Sequence, residues 1–151
     1  MLHSLQQLGL NMSASLKLST AVKAVHCLAK AYPNVLSSGD ISEMTGINAS
    51  QLRLILSMLA KAGIIRSMQG AGGGFILNMT PDQINLQQLY CAIETRKAFH
   101  LAVSGNHEQI PLNKKINKYF LDLFEDIQRD IESKMERISL AELIDEVETQ
   151  Y

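Results

Sequence analysis

Cysteine is scarce in this 151-residue chain, and so are long apolar runs and grouped histidines. Each scarcity closes a class of explanation. The two cysteines, Cys27 and Cys91, lie far apart with no C-x-x-C spacing. Neither a disulfide framework nor a zinc site is encoded, and reduced thiols are the default. His26, His100 and His107 lack metal-ligand spacing, and His3 sits in the N-terminal stretch. No nucleophile, base and orienting group stand together, so the sequence gives catalysis no support. No apolar stretch approaches the roughly 18 residues of a membrane-spanning helix. The opening MLHSLQQLGLNMSAS has neither the basic nor the apolar region of a signal peptide. A cytoplasmic protein without membrane contact is expected.

What is present is 46% apolar and 19% charged, enough for one domain with a core, or a small domain with an oligomerisation element. The net charge of −1 conceals a division. Residues 17–80 carry six basic and two acidic groups, whereas 81–151 carry eight and thirteen. A basic half joined to an acidic half fits a nucleic-acid-facing module attached to a solvated one.

The pattern from Ser37 to Leu77, SSGDISEMTGINASQLRLILSMLAKAGIIRSMQGAGGGFIL, predicts helix, tight turn, helix, strand, glycine hairpin and strand. Before it, Leu18, Val22, Val25, Leu28 and Ala29 follow helical spacing. Ser19 or Thr20 is the expected N-cap, and Pro33 ends the helix. The second helix should start near Ser37 or Ser38, bury Ile41 and Met44, and stop at Gly46. Asn48 should cap the third, with Gln51 returning the bond as in a capping box. Leu52, Ile55, Leu56 and Leu59 then face inward, while Ser50, Arg53, Ser57 and Lys61 form an outer stripe beside Leu54. Ile64–Met68 and Phe75–Leu77 flank Gly70, Ala71, Gly72, Gly73 and Gly74 as a hairpin wing.

A helix of this kind fits the major groove, where residues near its start reach base edges. Arg53 suits guanine, Gln51 adenine, and Ser50, Ser57 and Lys61 suit phosphate. The glycine run lacks the Gly-Lys-Ser/Thr of a nucleotide loop. As a wing tip it lets backbone approach a phosphate, with Arg66 and Gln69 assisting. A polar helix face turned only to water is the plain alternative.

Further along, Thr80, Pro81 and Gln83 are expected to restart helix, with an apolar stripe of Leu86, Leu89, Tyr90 and Ile93. Residues 96–112, containing Gly105, Asn106 and Pro111, read as a loop. Ile116, Phe120, Leu123, Ile127, Ile131, Met135 and Ile138 then step by three or four. They define a long helix whose apolar seam suits a two-fold dimer. Ser139 with Glu142 opens a last helix that can bury Leu140, Leu143, Ile144 and Val147. The expected division is 1–16 tail, 17–95 winged helix-turn-helix, 96–112 loop, and 113–151 dimerisation helix with a short terminal helix. The fold class is mainly α with a small β wing. Cys27 and Cys91 both read as small buried apolar residues, with a thiol switch as the alternative.

The segments LKLSTAVKAVHCLAKA and DISEMTGINASQLRLILSMLAKAGIIRSMQGAGGGFILNMTPDQINLQQLYCAIE resemble the bacterial winged-helix regulators that include IscR, NsrR and CymR, the Rrf-two type family. The likeness is most specific in LxKAGIIxSxxGxGGGF, and the long helix and terminal SLAEL share it. It implies a homodimer that crosses long C-terminal helices and usually represses transcription. It also matches Ser50, Gln51 and Arg53 to the recognition helix, and Gly70 and Gly72 to the wing; residues 48–61, from Asn48 onward, and the 68–74 wing are the expected operator contacts. Cluster-binding members carry three close cysteines after the position of Glu94, and RKAFHLAVSGNHEQIPLN has none. The resemblance is therefore to a branch without an iron–sulfur cluster. Gln69 stands where many members have arginine. A small-molecule effector, a partner protein or cysteine oxidation are the candidate signals. An interaction module that never touches DNA is the alternative function.

Overall fold

The computed structural model describes residues 13–94 and 109–150. Among these described residues, six helices and one hairpin follow in the order α1 Ala14–Ala31, α2 Ser38–Thr45, α3 Ala49–Lys61, β1 Ile65–Met68, β2 Gly74–Leu77, α4 Leu86–Ile93, α5 Pro111–Glu136 and α6 Leu140–Gln150.

The first helix begins a turn earlier than its apolar spacing predicts. Ser13, not Ser19 or Thr20, is the N-cap and accepts from the Leu16 amide. Thr20 is buried inside the helix. The short α2 owes its start to a reciprocal cap in which Ser37 Oγ accepts the Asp40 amide at 3.1 Å while Asp40 accepts the Ser37 amide at 2.7 Å. It ends at Gly46, whose φ of 72° is left-handed. Ile41 is fully buried, but Met44 is 57% exposed, contrary to its expected place in the core. On α3, Asn48 Oδ1 accepts from Ser50 rather than from Gln51, so the expected capping box is a one-sided cap.

Leu52, Ile55, Leu56 and Leu59 of α3 close on Ala21, Ala24, Val25 and Leu28 of α1, with Ile41, Ile65, Leu77, Ile84 and Leu89 completing the core. Full burial of each such aliphatic side chain contributes about 1.5–3 kcal/mol. The strands are antiparallel, pairing Ile65 with Leu77 and Met68 with Gly74. A third strand position comes from Leu36, which exchanges two backbone hydrogen bonds with Phe75 at 3.0 and 2.7 Å.

Thr80 and Gln83 make one turn only. The cap of α4 is Asn85, in a reciprocal box with Gln88. Of the expected 96–112 loop, residues 96–108 lie outside the described residues, and Pro111 and Leu112 already belong to α5, with Pro111 at the helix start where its missing N–H costs nothing. The end also differs, for Ile138 lies beyond the last helical residue of α5.

The C-terminal segment returns to the first domain. Leu86 donates to the Ile138 carbonyl, Leu140 to Ile84, and Ala141 to Pro81. Leu140 is fully buried among the core residues. Ser139 and Glu142 cap α6 reciprocally as predicted, whereas Val147 is exposed rather than buried. Glu148 of α6 pairs with Lys30 of α1 and lies 3.9 Å from His26 Nε2.

Candidate nucleic-acid interface

The outer stripe of α3 is built by the same periodicity that fills the core, because each inward leucine or isoleucine leaves a polar residue on the opposite side. Asn48, Ser50, Arg53, Ser57 and Lys61 are all exposed, while Gln51 and Leu54 are half-buried. Gln51 is therefore the least available of the expected base readers. Arg53 Nη2 donates to Ser50 Oγ at 3.1 Å, one turn back on the helix. That bond holds the guanidinium over the N-terminal half of α3, the part that reaches base edges when a helix enters the major groove. Neither Arg53 nor Lys61 is paired with a described carboxylate.

The helix ends at Lys61 with Ala62 as its cap, and Gly63, with φ 78°, turns the chain directly into the wing. At its tip Gly70 and Gly72 have φ of 98° and 72°, and the Gly73 amide donates to the Gly70 carbonyl at 3.0 Å. The tip from Gln69 to Gly72 is exposed. Bare backbone amides and no side chain beyond Gln69 and Ala71 allow close approach to a phosphate. Gly74 serves another purpose, since a Cβ there would sit 2.5 Å from the Leu36 carbonyl oxygen. It lets the wing lie flat against the segment after α1.

Arg66 stands apart from these residues. It lies near the base of the wing, opposite Ile76, and lines a cavity with Tyr32 of the α1 end and the turn after β2. Sequence reasoning gave Met68, exposed on the strand leading to the tip, no place in the site, and assigned Met44, exposed at the end of α2, to the core. Their apolar character hid them, since pattern reading assigns methionine to a core. It also missed Leu36, for which the β-prone pair Val35–Leu36 after Pro33 was the available signal.

The cysteines differ. Cys27 is buried in α1, and burial pushes its thiol pKa up. Cys91 on α4 is exposed, correcting the expectation that both are buried, and Gln87 Nε2 lies 3.3 Å from its sulfur. Among the described residues no group of three or more His, Cys, Asp or Glu is placed to hold a metal ion. His26 is half-buried on α1, while His3, His100 and His107 fall outside the described residues. No described helix is long and apolar enough to cross a membrane.

On α5, Ile116, Phe120 and Leu123 are 44%, 39% and 37% exposed. Ile127, Ile131, Met135 and Ile138 are half-buried within the single chain. The seam is thus divided, with its N-terminal half open and its C-terminal half partly covered. Gln128, the buried residue of this helix, hydrogen-bonds Tyr90 of α4 and donates to Glu132 at 2.8 Å. Burial, with Glu94 and Glu132 nearby, raises the Tyr90 phenol pKa.

Known proteins share this arrangement. Residues 14–146 match the Rrf2 family, described as an iron-dependent transcriptional regulator. The HTH-type transcriptional regulator IscR of Aliivibrio salmonicida is 32% identical over 111 residues, 74% of this chain and 64% of IscR. The chain thus spans a little under two thirds of that relative. Among solved structures, IscR of T. potens superposes with a TM-score of 0.66 at 24% identity, over 94% of this chain and 93% of that one. CymR, the global cysteine regulator of B. subtilis, gives 0.66 at 19% identity over 89% and 97%. These two likenesses concern the fold, and it is the winged helix with a C-terminal helix. The chain belongs to the Rrf2 family of DNA-binding transcriptional regulators and is not an enzyme.

Proposed function

We propose that this regulator is a cytoplasmic repressor that binds a pseudo-palindromic operator as a homodimer, with α3 in the major groove and the wing tip on the adjoining backbone. The observation that carries the reading is the exposed stripe Ser50, Arg53, Ser57 and Lys61 beside a bare glycine tip, with both cations unpaired by described carboxylates. Arg53 has the planar fork that recognises guanine, and Lys61 at the far end of the helix suits a phosphate. A dimer seated on its operator occupies duplex that a polymerase needs, which makes repression the expected outcome.

The open half of the α5 seam supports the second copy. Lys114, Lys115 and Lys118 crowd the N-terminal part of α5, an unfavourable end for cations, and Asp122, Glu125, Asp126, Asp130, Glu132 and Glu136 follow. Antiparallel crossing with a second α5 sets the basic part of each against the acidic part of the other.

The family description names iron, and the residues present do not fit an iron–sulfur cluster. The whole chain has two cysteines, one buried in α1 and one exposed on α4, and none after Glu94. We infer a regulator without that cluster. After anaerobic incubation with iron and sulfide, the desalted protein should show no visible charge-transfer absorption. A stable brown, iron-retaining protein would overturn this inference.

Selection from a random duplex library with purified reduced protein tests the main reading. A two-fold-symmetric enriched site is expected, with affinity falling steeply as salt rises because neutralised phosphates release counterions. A folded, dimeric protein that enriches nothing, and whose wing and α3 variants behave alike, would favour a protein-interaction module instead.

A further inference from the structure

The end of α1, the base of the wing and the turn after β2 border an open-sided cavity of about 490 Å³. No residue of the outer α3 stripe or of the wing tip lines it. Its size lies within the range of small-molecule sites, which are mostly apolar with a few placed polar groups. Leu77, Met79 and Pro81 supply apolar surface, and Tyr32 adds an aromatic ring. Arg66 is the sole charged residue of the lining, which contains no aspartate or glutamate. Its guanidinium makes no ion pair with any described carboxylate. Gln83 accepts the Thr80 amide through Oε1, so its Nε2 stays available as a second donor.

A lone guanidinium in a hollow lined by both apolar and neutral polar groups, with no counter-charge in the lining, is complementary to one anion carried on a partly apolar body. Its planar fork matches a carboxylate in bidentate geometry. We propose that this cavity binds a small aromatic carboxylate, with its carboxylate on Arg66 and its ring against Tyr32, Met79 and Pro81. The site adjoins both strands of the wing, through Arg66 of β1 and Leu77 of β2, and the α1 end through Ala29 and Tyr32. This assigns Arg66 to a ligand rather than to DNA phosphate.

Calorimetric titration of the DNA-free full chain with benzoate, and with benzyl alcohol as the uncharged counterpart, tests it. Benzoate should bind saturably with a Kd of about 1 mM or below. Benzyl alcohol should bind about tenfold or more weakly, and Arg66→Gln should lose benzoate to the same degree. Tyr32→Ala, at an exposed position, should weaken benzoate without altering the fold, whereas Arg53→Gln should leave it unchanged. Absence of saturable benzoate binding, or binding indifferent to both Arg66→Gln and Tyr32→Ala, would overturn the proposal. If Arg66→Gln instead weakens operator binding alone, the residue serves phosphate and the proposal also fails. Because benzoate binding is read without DNA, a failure of the operator reading leaves this result standing.

Discussion

Arg53 and Lys61 occupy the same helix face but differ in what they can recognise. Arg53→Ala should relax base preference by about 1–3 kcal/mol at one operator position. Lys61→Ala should weaken specific and random duplexes alike and reduce the salt slope by about one ion. Competition binding against scrambled duplex separates the two, and equal loss on both duplexes for Arg53→Ala would remove its base-reading role. The thiols also divide at this scale. Cys91 should react with an alkylating reagent in the native protein, and Cys27 only after unfolding, as mass spectrometry would register. Exposure was the part of the site least readable from sequence. Periodicity placed Ser50, Arg53, Ser57 and Lys61 outward correctly, because four buried aliphatic residues fix the phase of α3. It could not decide Met44, Cys91 or Gln51, whose burial depends on what neighbouring elements happen to cover.

At the level of elements, α2 depends on its cap, being only eight residues long. Ser37→Ala should lower stability by about 1 kcal/mol. The hydrogen bonds from Ser37 hold the Asp40 carboxyl below its ordinary pKa of 3.8. A depressed folded pKa means that the Asp40 contribution is complete above the unfolded value and is lost as pH falls through the folded one. Stability should therefore fall less steeply below about pH 4 in Asp40→Asn, and near neutrality, where the Asp40 contribution is complete, the variant should be less stable by an amount that does not vary with pH. The wing is equally specific. Gly74→Ala forces a methyl into the Leu36 carbonyl, and melting should reveal a loss of stability together with weaker duplex binding. Caps at this spacing were read in full at Ser139–Glu142 and only in part at Asn48–Gln51, where Asn48 Oδ1 accepts the Ser50 amide instead. They misled at Thr80–Gln83, since that pair closes a turn and the adjacent Asn85–Gln88 box captures the helix.

For the molecule as a whole, the proposed dimer rests on the open seam of α5. Phe120→Asp with Leu123→Asp should convert a dimer into a monomer in sedimentation equilibrium and remove cooperative binding to a two-fold site. The DNA-binding unit itself should stay folded, because neither residue belongs to its core. Leu140→Ala should do the reverse, lowering stability by about 2–5 kcal/mol while the seam stays intact. A seven-membered apolar stripe was readable from sequence, but its division was not. Gln128 is polar and gave no sign that it would be the residue buried against Tyr90.

The return of Ile138–Leu140 to the strand-and-helix core means that the chain's two halves are interlocked rather than joined in series. Cutting the backbone anywhere between Glu94 and Gln109 would leave one fragment lacking a side chain that the other supplies. The two pieces should then co-purify, and each alone should be a poor substitute for the whole. A fragment stopped at residue 95 to isolate the reading head would carry an empty Leu140 socket. Expressing both halves together is the way to reconstitute it.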